Sequence, residues 1–340
     1  MNEKILNKTA LAMVEKGRGI LAADESTATI GKRFENIKVE NTEENRRAYR
    51  ELLLGGKNAE EYISGVIFYE ETLFQKCADG TPFTQLLNKK GIIPGIKVDK
   101  GAKALVGGAP GETITEGLDG LRERLAKYRE AGARFAKWRA VITIGEGAPS
   151  YDAIHTNAHA LARYAALCQE ADIVPIVEPE VLMDGDNTLE TCEQVTSWML
   201  QETFNQLYYQ KVLLEGMILK PNMVVSGKKC KVQAERKTVA AATLRTLKRF
   251  VPSAVPGIAF LSGGQSDEDA TAHLDEMNRM GGGPWTMSFS YGRALQAAAL
   301  KAWSGRKENV AAGQRAMLHR ARMNSLAALG RWDKKLEKTA

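Results

Sequence analysis

Eight times along the chain a short apolar run ends in polar or charged residues, and a helix-like stretch usually separates one run from the next. The runs are Gly19 to Asp24, Ile63 to Glu70, Ile92 to Asp99, Ala133 to Ala140, Ile173 to Glu178, Met217 to Lys220, Val255 to Ser262 and Trp285 to Tyr291. They read as short buried strands. Helical patterns cover Thr42 to Asn58, Gly120 to Glu130, Asn157 to Glu170, Thr188 to Val212, Ala234 to Arg249, Ser266 to Arg279 and Arg293 to Trp303. Thr42, Thr188 and Ser266 supply capping side chains at three of the starts. Phe83 to Asn88 has room only for a helical stub.

Strand-helix alternation eight times over, at roughly 40 residues per unit, predicts an α/β fold of the parallel (β/α)8 TIM-barrel type. Extra helices are expected before it, over Glu3 to Lys16, and after it, over Val310 to Leu329. An open doubly wound sheet would carry a glycine-rich turn after its first strand, and Ala22-Ala23-Asp24-Glu25-Ser26 contains no glycine. With no Pro-, Gly- or Ser-rich linker in view, residues 1–340 are expected to form a single domain.

A barrel of this kind builds its active site at the C-terminal ends of its strands, so the charges that end the runs should converge. Lys137 and Arg139 are two apart and share a strand face, Glu178 ends the next run, and Lys220 ends the one after. Adjacent strands lie about 4.8 Å apart, which allows one carboxylate to sit between two ammonium groups. Near pH 7 an ordinary lysine is neutral in only about one molecule in 2,500, and only the neutral amine attacks a carbonyl. Burial and the like charge of Lys137 are expected to favour the neutral amine at Lys220, with Glu178 placed to shuttle protons and Asp24 offering a second acid-base group. A purely structural ion-pair network would use the same residues.

Lys97 adds a fourth inward cation, and four cations without an anionic ligand would repel one another, so a polyanionic substrate is expected. Leu261-Ser262-Gly263-Gly264 and Ser290-Tyr291-Gly292-Arg293 follow the seventh and eighth runs, where such barrels commonly hold phosphate. Ser26, Lys32 and Arg33 could hold a second anionic group, or Ser26 could cap a helix whose basic face is solvated. Val174, Ile176, Ile218 and Ile258 read as core, as do Trp138 and Trp285.

The net charge of +6 comes from basic residues spread along the chain rather than clustered with aromatics, so nucleic acid is not an expected partner. No apolar run approaches the roughly 18 residues that cross a bilayer, and Met1-Asn2-Glu3-Lys4 leads into no signal-peptide core. A soluble cytoplasmic protein without membrane attachment is expected. Cys77, Cys168, Cys192 and Cys230 are widely scattered and read as free thiols. His155 and His159 have a zinc-compatible spacing but no accompanying motif, so no metal site is expected.

With these residues in hand, the chain closely resembles class I fructose-bisphosphate aldolases. The likeness runs through Gly19 to Ser26, Ser64 to Phe68, Gly95 to Lys100, Ala136 to Arg139, Pro175 to Glu180, Leu219 to Met223, Phe260 to Ser266 and Ser290 to Leu295. The resemblance implies that Lys220 forms a Schiff base, Glu178 shuttles protons, and Lys137 and Asp24 assist carbon-carbon cleavage and dehydration. It also implies that Ser262, Gly263 and Arg293 hold the C1 phosphate, with Lys97, Arg139, Ser26, Lys32 and Arg33 on the C6 phosphate side. The implied reaction is reversible cleavage of fructose 1,6-bisphosphate to dihydroxyacetone phosphate and glyceraldehyde 3-phosphate, with neither metal nor other cofactor, in a homotetramer. Thr29 stands where a serine is usual, and Lys338-Thr339-Ala340 stands where many members carry a tail ending in tyrosine. The alternatives are a related Schiff-base aldolase acting on another sugar phosphate and a non-catalytic binding scaffold.

Overall fold

The computed structural model describes residues 1–338, so Thr339 and Ala340 of the C-terminal reading lie outside the described residues. Its strands are β1 (Gly19–Ala23), β2 (Ile63–Phe68), β3 (Ile93–Lys97), β4 (Ala102–Ala104), β5 (Thr113–Thr115), β6 (Phe135–Ile142), β7 (Val174–Val181), β8 (Ile218–Leu219), β9 (Gly257–Phe260) and β10 (Thr286–Tyr291). Eight of them close a parallel barrel in the order β1-β2-β3-β6-β7-β8-β9-β10, and β4 and β5 form a separate antiparallel hairpin. The eight expected strands are all present. Their ends differ where pairing decides: β6 and β7 run on to Ile142 and Val181 because they pair over eight successive positions, Phe135 with Val174 through Ile142 with Val181. β8 is shorter than expected, yet the Lys220 amide still donates to the Val177 carbonyl at 2.8 Å and stays tied to β7.

Caps explain the helix starts. Thr42 accepts from the Asn45 amide, Thr188 from Thr191 and Ser266 from Asp269. The helix Tyr151–Glu170 begins six positions before the expected Asn157, because Ser150 accepts from the Ala153 amide there. Phe83–Lys89 is the expected stub, and the preceding Glu70–Phe74 helix takes up the residue at which the second run was expected to end.

Inward side chains alternate along each strand, and their apolar members fill the lower barrel. Ile20, Ala22, Ile67, Phe135, Val174, Ile176, Ile218 and Ala259 form one buried cluster, floored by Leu6, Ala10, Met13 and Val14 at the N-terminus. Phe135 occupies the space left by two glycines: a Cβ at Gly95 would lie 2.2 Å from its ring and one at Gly65 3.0 Å. Burying an aromatic of this size contributes about 3 kcal/mol. Ile258, also expected in the core, is buried on the outer face against the helices. Two residues further along the inward columns, the apolar side chains give way to charges, and that change of character positions the site.

Candidate active site

The column Val174, Ile176 continues inward to Glu178 and Glu180; Phe135 continues to Lys137 and Arg139, Ile20 and Ala22 to Asp24, Ile218 to Lys220, and Ile93 to Lys97 and Asp99. These charges line a cavity of about 890 Å³ at the C-terminal mouth of the barrel. Glu178 lies between two ammonium groups, with Oε1 3.3 Å from Lys220 Nζ and Oε2 3.5 Å from Lys137 Nζ. Lys137, Glu178 and Lys220 are all buried. Glu178 Oε2 accepts no hydrogen bond among the described residues despite its burial, its approach to Lys137 being an ion pair only.

The expectation of four uncompensated cations is not met. Lys137 Nζ is 2.8 Å from Asp24 and 3.9 Å from Asp99, Lys97 Nζ is 2.6 Å from Asp99, and Arg139 is paired with Glu180. Carboxylates that end or follow the same strands interleave with the cations, so crowding among like charges is not what governs the site. Burial opposes the Lys137 ammonium, but Asp24, Glu178 and Asp99 outweigh it and hold its pKa well above the usual lysine range. Burial likewise opposes ionised Asp24, and Lys137, Lys220 and Lys97 more than reverse this, holding its carboxyl well below the usual range. Asp24 is therefore an ionised partner that keeps Lys137 charged.

The demand for an anion survives at the rim. Lys32, Lys100 and Arg293 line the cavity with no ion-pair partner among the described residues. Gly263 and Gly264, beside Ser262, have φ of +61° and +98°, a left-handed succession that only glycine adopts readily and of the kind that forms anion-binding concavities. Arg293 opens the helix Arg293–Trp303 beside this loop, and the buried Ser290 hydroxyl at the cavity wall has no hydrogen-bond partner among the described residues. After the neighbouring β1, Ser26 caps the helix Thr27–Glu35 by accepting from the Thr29 amide, and Arg33 is paired with Glu25, which leaves Lys32 as the cation of that group without an ion-pair partner among the described residues. The four cysteines are free. His155 and His159 sit away from the cavity, bonded to Glu202 at 2.8 Å and Gln206 at 3.1 Å.

Sequence reading passed over Asp99, Glu180 and Glu25 as charge partners. The i, i+2 spacings Lys97/Asp99 and Glu178/Glu180 carried that signal. It also passed over a chain beneath the glycine loop: His273 Nδ1 is 2.6 Å from Gln265 Oε1, and Gln265 Nε2 donates to the Ser262 carbonyl at 3.2 Å. Burial pushes the His273 imidazole down to about 4 from an ordinary 6.5. The unfolded chain therefore binds the proton first, and this stability is present above pH 6.5 and lost as pH falls through 4, by about 3 kcal/mol in all. His273→Gln, which cannot titrate, is expected to flatten the fall in denaturation free energy between those pH values by a comparable amount. An unchanged slope in urea titrations would refute the assignment.

A parallel eight-stranded barrel with a buried lysine-carboxylate-lysine cluster, opposite a glycine loop, defines an enzyme of the lysine aldolase class. Residues 5–340 match the model of the family described as fructose-bisphosphate aldolase class-I. A probable fructose-bisphosphate aldolase class 1 from Xanthomonas campestris is 59% identical over 98% of this chain and 99% of its own. A cytosolic fructose-bisphosphate aldolase from Arabidopsis thaliana is 55% identical over 92% of this chain and 80% of its own. Among solved structures, fructose-bisphosphate aldolase from Plasmodium falciparum, in complex with TRAP and a small-molecule inhibitor, superposes with a TM-score of 0.96 at 52% identity, covering 97% and 96% of the two chains. The chain belongs to the class I fructose-bisphosphate aldolase family. It is a carbon-carbon lyase that cleaves fructose 1,6-bisphosphate reversibly, by the Schiff-base chemistry of that family.

Proposed function

We propose that Lys220 is the amine that captures the ketose, that Glu178 carries the proton transfers around it, and that Lys137 and Asp24 assist cleavage and dehydration as a charged pair. The placement of Glu178 between Lys220 and Lys137 supports this reading most strongly. Passing the Lys220 proton to Glu178 leaves a neutral amine and a carboxylic acid without changing the net charge of the cavity. The amine adds to the C2 carbonyl, and Glu178 returns a proton to the departing hydroxyl, so that water leaves and an iminium remains. The iminium then accepts the electron pair of the C3–C4 bond as the C4 hydroxyl gives up its proton to the Glu178 carboxylate, which was regenerated in the dehydration step. Glyceraldehyde 3-phosphate leaves, and the enamine is protonated and hydrolysed to dihydroxyacetone phosphate. Lys137, held charged by Asp24, stabilises oxyanion character along this path.

Ser262, Gly263 and Arg293 are proposed to hold the C1 phosphate, and Lys97, Arg139, Ser26, Lys32 and Arg33 the C6 phosphate side. Lys97, Arg139 and Arg33 would share their charge between substrate and the carboxylates that now pair them. The chain is further proposed to act as a single barrel domain within a homotetramer in the cytoplasm, a location supported by the cytosolic Arabidopsis relative. Among the described residues no helix is long and apolar enough to cross a membrane. Borohydride reduction in the presence of dihydroxyacetone phosphate is expected to attach the three-carbon unit to the peptide holding Lys220. Labelling at Lys137 instead, read by mass spectrometry, would reassign the nucleophile.

A further inference from the structure

The loop after β8 carries a lysine that the family likeness leaves without a role, and it reaches the same glycine loop as Arg293. A Cβ built on Gly264 would lie 2.5 Å from Lys228 Nζ, 2.9 Å from Lys228 Cε and 3.3 Å from Arg293 Nη2. Two cations thus meet over one glycine, and any larger residue there would displace them. The position of Lys228 is fixed by backbone pairing with the loop after β7. The Lys228 amide donates to Met183 at 2.7 Å, Gly227 to Asn187 at 2.8 Å and Lys229 to Gly185 at 2.9 Å. Among the described residues the ammonium group itself is held only by Asp184, at 2.9 Å.

That pair is exposed, 39% at Lys228 and 66% at Asp184, and is therefore a weak tether that solvent screens. Asp184 is held below the usual carboxylate range by the hydrogen bond from Lys228 first, with Arg293 and Arg139 adding to it. A phosphate on the glycine loop offers more charge than a solvated carboxylate and would draw the ammonium a short distance.

We propose that Lys228 is a further binding residue for the C1 phosphate, released from Asp184 onto the phosphate that Ser262, Gly263 and Arg293 receive. This rests on the assignment of that loop to the C1 phosphate. Lys228 sets how tightly dihydroxyacetone phosphate and the C1 end of the bisphosphate are held, and it touches no reacting carbon.

The test compares wild type with K228A, K228R, D184N and R293A in the synthesis direction, together with competitive inhibition by inorganic phosphate. K228A is expected to raise KM for dihydroxyacetone phosphate and Ki for phosphate about two- to fivefold, the range of one partly exposed ion pair. The larger part of the effect falls in KM rather than kcat, and KM for glyceraldehyde 3-phosphate moves far less. K228R restores most of the affinity, D184N tightens it, and raising ionic strength narrows the difference between wild type and K228A. If R293A raises KM while K228A does not, the inference is overturned and the phosphate assignment stands. If neither does, the assignment itself is wrong. Equal losses in K228A and K228R, accompanied by a lower Tm in both, would mark Lys228 as structural and also overturn the proposal.

Discussion

Lys220→Met and Lys220→Arg are both expected to lose cleavage activity by about 10⁵-fold in kcat, the scale set by removing an enzyme's nucleophile. The two replacements separate chemistry from charge. Methionine fills a similar volume without an amine, and Glu178 keeps Lys137 at 3.5 Å as a partner. Arginine keeps the positive charge opposite Glu178 but stays protonated and cannot add to a carbonyl. If Lys220 served only as a counter-ion, arginine would retain much of the activity and methionine little. Equal loss in both, with near-UV dichroism and phosphate binding preserved, is the outcome that nucleophilic capture requires. Activity in the arginine variant above a tenth of wild type would sink the assignment.

Most of the barrel was legible in the sequence because its strands are apolar for the few residues they spend in the lower layers and then end in charges. That change of character marked β1, β3, β7 and β8 together with their site residues Asp24, Lys97, Glu178 and Lys220. What was not legible is pairwise. Sequence order places Lys137 within one barrel strand and Asp24 at the end of another, but β1 and β6 are not neighbours, and only closure of the barrel sets the two side chains 2.8 Å apart. The same holds for Gln265 and His273, separated by a turn and two helical turns before they meet. Arg33 illustrates the converse. Its position beside the mouth was readable, whereas its pairing with Glu25 depends on how the helix Thr27–Glu35 folds back on the end of β1. The hairpin of β4 and β5 had no apolar run to announce it, because all three residues of β4 are exposed.

Lys137→Met is the second large effect, and it decides between a catalytic cluster and a structural one. In the wild type the ammonium neutralises Asp24, Glu178 and Asp99 from within 3.9 Å. Its removal strands the Asp24 carboxylate, since Glu178 keeps Lys220 and Asp99 keeps Lys97, at about 3–5 kcal/mol in stability, together with a loss of about 10³-fold in kcat from the missing cation. Asp24 contributes stability that is present above its unfolded value near 3.8 and lost as pH falls through its depressed folded value. Without Lys137 that contribution is largely gone, so the stability deficit of the variant should narrow as pH drops through 4. Adding Asp24→Asn removes the stranded charge, and the double variant is expected to recover most of the stability in denaturant titrations. A structural ion pair would return activity along with the fold. A catalytic pair returns the fold alone, because neither asparagine nor methionine supplies a charge beside the developing oxyanion, and kcat then stays about 10³-fold down in a protein that has regained most of its stability.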